Sequence, residues 1–98
     1  LAVAVSRGSV VQSATGEITD IEYIGSNVYI VGGFSSIQNN TATNTTTYNQ
    51  PFLASYNIDT GLVNASFRPT FGGGGVTEVE ASPDGTRLFV VGTFNTVN

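Results

Sequence analysis

The sequence contains no cysteine, histidine, methionine, tryptophan or lysine, and its basic residues are Arg7, Arg68 and Arg87 alone. Each absence removes a class of chemistry. Without cysteine there is no disulfide and no thiolate site, and the redox compartment stays undecided. Without histidine as well, Ser-His and Cys-His pairs cannot form, and His/Cys zinc sites go with them. Without lysine, Schiff-base chemistry and a Ser-Lys pair are excluded. A net charge of −4 argues against nucleic acid and against anionic membrane surfaces, since neither many phosphates nor a lipid headgroup layer can be neutralised by three cations. Long apolar runs are missing too: nothing approaches the roughly 20 residues of a membrane helix, and no signal-peptide pattern is present.

Charge of either sign is scarce. Charged residues make up 10% of the chain, against roughly 25% in ordinary soluble domains. Gly, Thr, Ser and Asn carry the polarity instead, a mixture that suits a β-rich, hydrogen-bonding surface outside the cell. The 98 residues suffice for one small domain with a modest core. The first residue is Leu1, which reads as processing or excision from a longer chain.

What is present is a repeated phrase. Asn27-Val28-Tyr29-Ile30-Val31-Gly32-Gly33-Phe34-Ser35-Ser36-Ile37 returns sixty positions later as Arg87-Leu88-Phe89-Val90-Val91-Gly92-Thr93-Phe94-Asn95-Thr96-Val97. Each copy is an apolar run closed by Val-Gly, any residue, Phe, a small polar pair and a β-branched residue. Internal repeats of this period mark repeat architectures. Five residues of Val, Tyr and Ile ended by Gly-Gly make a poor helix and a good strand buried on both faces.

The rest of the chain reads as short strands between turn signals. Leu1 to Val5 and Val10 to Ala14 form a hairpin around Arg7-Gly8-Ser9. Ile18 to Ile24 is a strand closed by Gly25-Ser26-Asn27, followed by the first motif copy. Residues 38–50 are an Asn/Thr-rich loop, longer than most connections and therefore functional or mobile. Phe52 to Asn57 is a strand with Phe52, Ala54 and Tyr56 on one face, and Leu62 to Phe67 another. Phe71 to Gly75 make a flexible connector. Val76 to Ala81 is a strand, and Ser82 to Thr86 turns the chain into the second motif copy. No helical period is sustained, and the fold class is all-β.

A weaker echo fixes the phase. Leu1-Ala2 matches Leu53-Ala54, and Val10-Val11-Gln12-Ser13 matches Leu62-Val63-Asn64-Ala65. With Ile18–Ile24 as the first strand, a, of a four-stranded unit, the chain runs c-d, a-b-c-d, a-b. The divisions are 1–15 (half a blade), 16–71 (a complete blade) and 72–98 (half of the next). Four-stranded antiparallel sheets at this period are the signature of β-propeller blades.

The same residues resemble a family. Val28 to Ile37 is similar to the core of the delta-60, kelch-like propeller repeats of bacterial secreted and cell-surface proteins. Leu53 to Asn57, Thr60-Gly61-Leu62 and Ala65-Ser66-Phe67 resemble the second half of that repeat, and Ser82 to Leu88 its Pro-Asp-Gly hairpin. The match spans residues 16 to 98, with the Asn/Thr loop departing from it. The resemblance implies a propeller and an extracellular setting, not a reaction.

Candidate sites are few. Asp20 with Glu22, and Glu78 with Glu80, lie two apart on first strands, where side chains share a face about 6.5–7 Å apart. That spacing is not alien to the paired carboxylates of glycosidases, but its recurrence in both units argues for structural acids that face a channel or an end of the barrel, solvated or holding a cation. Tyr48, with Asn44 beside it, is the exposed aromatic of the polar loop and a contact for glycan or protein. Asn39, Asn44 and Asn64 stand in N-glycosylation sequons. Tyr29, Phe34, Phe89 and Phe94 read as core between blades rather than a stacking platform. The glycine run lacks the Lys-Ser/Thr of a phosphate loop, and Asp59-Thr60-Gly61 and Asp84-Gly85 are turns without EF-hand spacing.

The expectation is a non-enzymatic extracellular structural or interaction module, a protomer or fragment of a propeller, with no catalytic residues, metal site or cofactor. A carbohydrate-binding propeller using the 38–50 loop is the second reading, and carboxylate hydrolysis the third. The expected partners are further blades of the same protein or other copies of itself, head to tail, besides a surface glycan or protein.

Overall fold

The computed structural model describes residues 18–39 and 43–98 in full, and the backbone of two strands, 2–4 and 9–12, before them. The expected Arg7-Gly8 turn and the centre of the Asn/Thr loop, 40–42, lie outside the described residues. In chain order the strands are β1 (Ala2–Ala4), β2 (Ser9–Gln12), β3 (Ile18–Ile24), β4 (Asn27–Gly32), β5 (Ser36–Asn39) and β6 (Thr47–Tyr48). They continue as β7 (Leu53–Asn57), β8 (Phe71–Gly72), β9 (Val76–Ala81), β10 (Leu88–Gly92) and β11 (Thr96–Val97). The described residues contain no helix; the fold is all-β. Four small antiparallel sheets result, ordered β1-β2-β5-β6, β3-β4-β7, β9-β10 and β8-β11, and none closes on itself.

The β3-β4 hairpin is set by its turn. Ile24 pairs with Asn27 across the two-residue loop Gly25-Ser26, and Gly25 has φ 59°. Glycine takes that left-handed value without the steric cost a side chain incurs. β4 then separates two cores. Its Val28 and Ile30 join Phe34, Ile37, Ala54 and Tyr56 in a first buried cluster. Val31 turns the other way, to Leu53, Val76 and Val79, with Tyr29, Leu88, Val90 and Phe94 packed around them. Alternating side chains of one strand thus bind β3-β4-β7 to the segment 34–37 on one side and to β9-β10 on the other. This is how a near-continuous apolar run is accommodated.

The pairing recurs at the spacing of the sequence motif. Val11 pairs with Ile37 and Gln12 with Ser36; sixty positions on, Phe71 pairs with Val97 and Gly72 with Thr96. The β3-β4 and β9-β10 hairpins carry a bulge at the same place, the first beside Thr19 and the second beside Thr77. Thr77 Oγ1 donates to the carbonyl of Val91 at 3.1 Å. Thr19 Oγ1 lies 3.4 Å from the carbonyl of Val31 but 3.0 Å from that of Thr77, and its one hydrogen favours the latter.

Several local expectations are corrected. The strand expected over Leu62–Phe67 is reduced to a single bridge between Val63 and Tyr56, because Phe67 N–H turns back to the carbonyl of Asn64. By pairing, β2 corresponds to β8 rather than to Leu62–Ala65. The Asn/Thr loop is partly a hairpin, β5-β6, in which Ile37 pairs with Tyr48. Phe52 does not share a face with Ala54 and Tyr56: it precedes β7 with φ 71°, a left-handed value rare for a bulky residue, and packs into the second cluster.

The glycine run is no free connector. Gly72 accepts from Asn95 N–H at 2.8 Å and Gly75 from Thr93 N–H at 3.0 Å. A Cβ on Gly74 would stand 2.7 Å from the Thr93 carbonyl. At Gly74 the missing side chain lets two backbones touch, and at Gly72, Gly73 and Gly75 it leaves room for the side chains of Thr96, Asn95 and Phe52.

Candidate functional site

The first strands of the β3-β4 and β9-β10 hairpins lie side by side, and the four singled-out carboxylates gather there. Asp20, Glu22, Glu78 and Glu80, with Phe89 and Val91 on the same β9-β10 face, line a cavity of about 300 Å³. Register explains the grouping. Asp20 pairs with Val31 and Glu22 with Tyr29; Glu78 pairs with Val91 and Glu80 with Phe89. Each acid therefore lies on the face its cross-strand aromatic or valine occupies.

Asp20 is the best-defined member. Its Oδ1 accepts from Ile21 N–H at 2.9 Å, and its Oδ2 from Val79 N–H of the neighbouring hairpin at 3.0 Å. The ladder explains why Val79 has a hydrogen to give. Ser82 N–H bonds to Arg87, and bonded pairs alternate along an antiparallel hairpin. The Val79–Val90 pair is thus an unbonded one, with the Val79 N–H pointing out of the ladder. Glu22 Oε1 lies 3.4 Å from Tyr23 N–H in the same manner. These are the contacts of carboxylates that hold backbone in place. Among the described residues no three acidic side chains converge as metal ligands do.

The loop residues are held internally. Tyr48 is half-buried, packs against the first core, and carries the Arg68 guanidinium 5.7 Å from its ring centre. Asn44 Oδ1 accepts from Asn39 Nδ2 at 3.3 Å and from Thr46 N–H at 3.1 Å. Asn39 is 2% exposed and accepts from Val63 N–H at 2.7 Å, so its side chain is shut inside the folded chain. Asn64 donates to Asn27 and Ser55. Of the four motif aromatics, Phe34 is buried and Tyr29 and Phe94 are half-buried. Phe89 is 52% exposed: among the described residues of one chain, no sheet covers its face.

Sequence reasoning missed Gln50. It is 2% exposed, donates to the carbonyls of Leu53 and Pro69 and accepts from Arg68 Nε. The one available signal was its position immediately before Pro51, at the end of a polar loop.

Asp84 closes the β9-β10 turn. Its carboxylate accepts from Ser82 Oγ at 2.6 Å, Thr86 Oγ1 at 2.8 Å and Thr86 N–H at 3.1 Å. The Ser82 bond first, then those of Thr86, hold its pKa below the ordinary 3.8. The turn is therefore supported fully above 3.8 and loses that support as pH falls through the lower folded value. The Thr86 amide resonance is expected to titrate with a midpoint under 3.8; a midpoint at or above it contradicts the assignment.

No family model, curated protein or solved structure matches the chain.

Proposed function

We propose that this chain is a non-enzymatic structural or interaction module whose β-sheets are blades of a propeller, working outside the cell. The observation that carries the reading is the return of one pairing register: Val11 with Ile37, then Phe71 with Val97. A bulged threonine recurs with it on each first strand. Side-by-side first strands are the arrangement blades adopt around an axis. The extracellular setting rests on composition and on the resemblance to secreted repeat proteins.

The use of Asp20 on two backbone N–H groups supports a structural role for the recurring acids. The internal engagement of Tyr48 and Asn44 favours the plain module over a glycan-binding loop. A glycan array together with a panel of chromogenic glycosides tests this reading. The expected result is neither binding nor turnover. Glycan binding lost in Tyr48→Ala would establish the carbohydrate-binding reading instead, and turnover lost in Glu78→Gln would establish a hydrolase.

A further inference from the structure

Four of the exposed large apolar side chains fall on two opposite faces: Ile21 and Tyr23 on β3, at 45% and 51%, and Phe89 and Val91 on β10, at 52% and 56%. Their counterparts inside the chain are covered, and by one another. Val31, which corresponds to Val91, is fully buried against Val79, which corresponds to Ile21. Tyr29, which corresponds to Phe89, packs into the same cluster. The face left open on β9-β10 is thus the face that β3-β4 buries internally. The face left open on β3 is the one β9 buries.

We infer that a second copy of this chain docks head to tail, its Ile21 and Tyr23 covering Phe89 and Val91. This deepens the proposed module and rests on its reading of the two hairpins as equivalent units. The internal junction supplies the polar contacts as well as the apolar ones. Asp20 accepts from Val79 N–H across it, and Thr19 donates to the Thr77 carbonyl. At the junction between copies, Glu78 takes the place of Asp20 and reaches the second copy's Ile21 N–H, which turns to it from that copy's own Asp20 Oδ1. Thr77 takes the place of Thr19 and turns its hydroxyl hydrogen from its own Val91 carbonyl to the second copy's Thr19 carbonyl. The acid-lined cavity beside Phe89 is where the second copy's β3 seats. The two faces differ, so the contact is heterologous and propagates from copy to copy until a ring closes or a filament grows. The contacts named involve no basic side chain, and they are expected to survive high salt.

Light scattering across a concentration series is the test. The mass is expected to rise above the 10.2 kDa of one chain. Phe89→Asp and Tyr23→Asp, each at an exposed site, are expected to stay single on their own. Mixed in equal amounts they form a species of two chains and nothing larger, because each retains the face the other has lost. A wild-type chain that keeps the mass of one copy at every concentration overturns the inference, as does undiminished association of both variants. The amide of Val79 separates the two levels. If it is protected from exchange in a single chain, the internal stacking stands and only the docking of copies fails. If it is unprotected, the equivalence of the two hairpins fails as well.

Discussion

Phe34→Ala is expected to destabilise the chain by about 3–5 kcal/mol, the cost of removing a large aromatic from a closed core. Phe94→Ala, at the same place in the second motif copy, is expected to cost about 1–2 kcal/mol, in line with the smaller area withdrawn from water. The two residues share a sequence context but not an environment. Phe34 is 1% exposed among Val28, Ile30, Ile37, Ala54 and Tyr56. Phe94 is half-buried, with the ring of Phe71 tilted against it at 5.0 Å. Total stability of a small domain is about 5–15 kcal/mol, so the first substitution removes a large share of it. Denaturant midpoints at unchanged m-value read the difference, at concentrations low enough to keep the chain single. Equal losses from the two variants would mean that Phe34 has no closed core around it.

Gln50→Leu is the second large effect. Its Nε2 bonds the carbonyls of Leu53 at 3.0 Å and Pro69 at 2.7 Å, and its Oε1 accepts from Arg68 Nε at 2.7 Å. One buried amide thereby ties the end of the loop to β7 and to the segment entering β8. Leucine fills the same volume but leaves both carbonyls without a donor. At about 1–3 kcal/mol for each buried group left unpaired, a loss of about 2–4 kcal/mol is expected. Arg68→Ala, which removes an exposed guanidinium, is expected to cost under about 1 kcal/mol. If the arginine variant proves the more damaging, the amide is not the tie.

The contrast between these positions shows what a sequence can and cannot carry. The strands β3, β4, β9 and β10 were legible because runs of Val, Ile, Tyr and Phe end at Gly, Asn or Asp, where turn chemistry is local. The recurring acid pairs were legible as a pattern. That Asp20 spends its oxygens on Ile21 and Val79 was not, since Val79 lies 59 residues away and is brought near only by stacking. The glycine run carried the composition of a flexible linker, yet Thr93 and Asn95 pack on it so closely that a Cβ would collide. Phe52 gave no sign of its left-handed backbone, because nothing in a phenylalanine favours one. Tyr29 and Phe89 occupy equivalent motif positions and differ in burial only because a sheet lies over one of them. In each case the missing information was the identity of the neighbour.

The stacking of β3 on β9 through Asp20 is the hinge of the whole account, and hydrogen exchange at the Val79 amide tests it most directly. This N–H points out of its own ladder, so protection has to come from the Asp20 carboxylate. The amide is expected to be protected in the wild-type chain and to exchange at least about tenfold faster in Asp20→Ala, one hydrogen bond to a charged acceptor being worth about 1.5–3 kcal/mol. Amides bonded within the β9-β10 ladder are expected to keep their rates. A Val79 amide that exchanges freely in the wild-type chain, or at one rate in both proteins, would contradict the account.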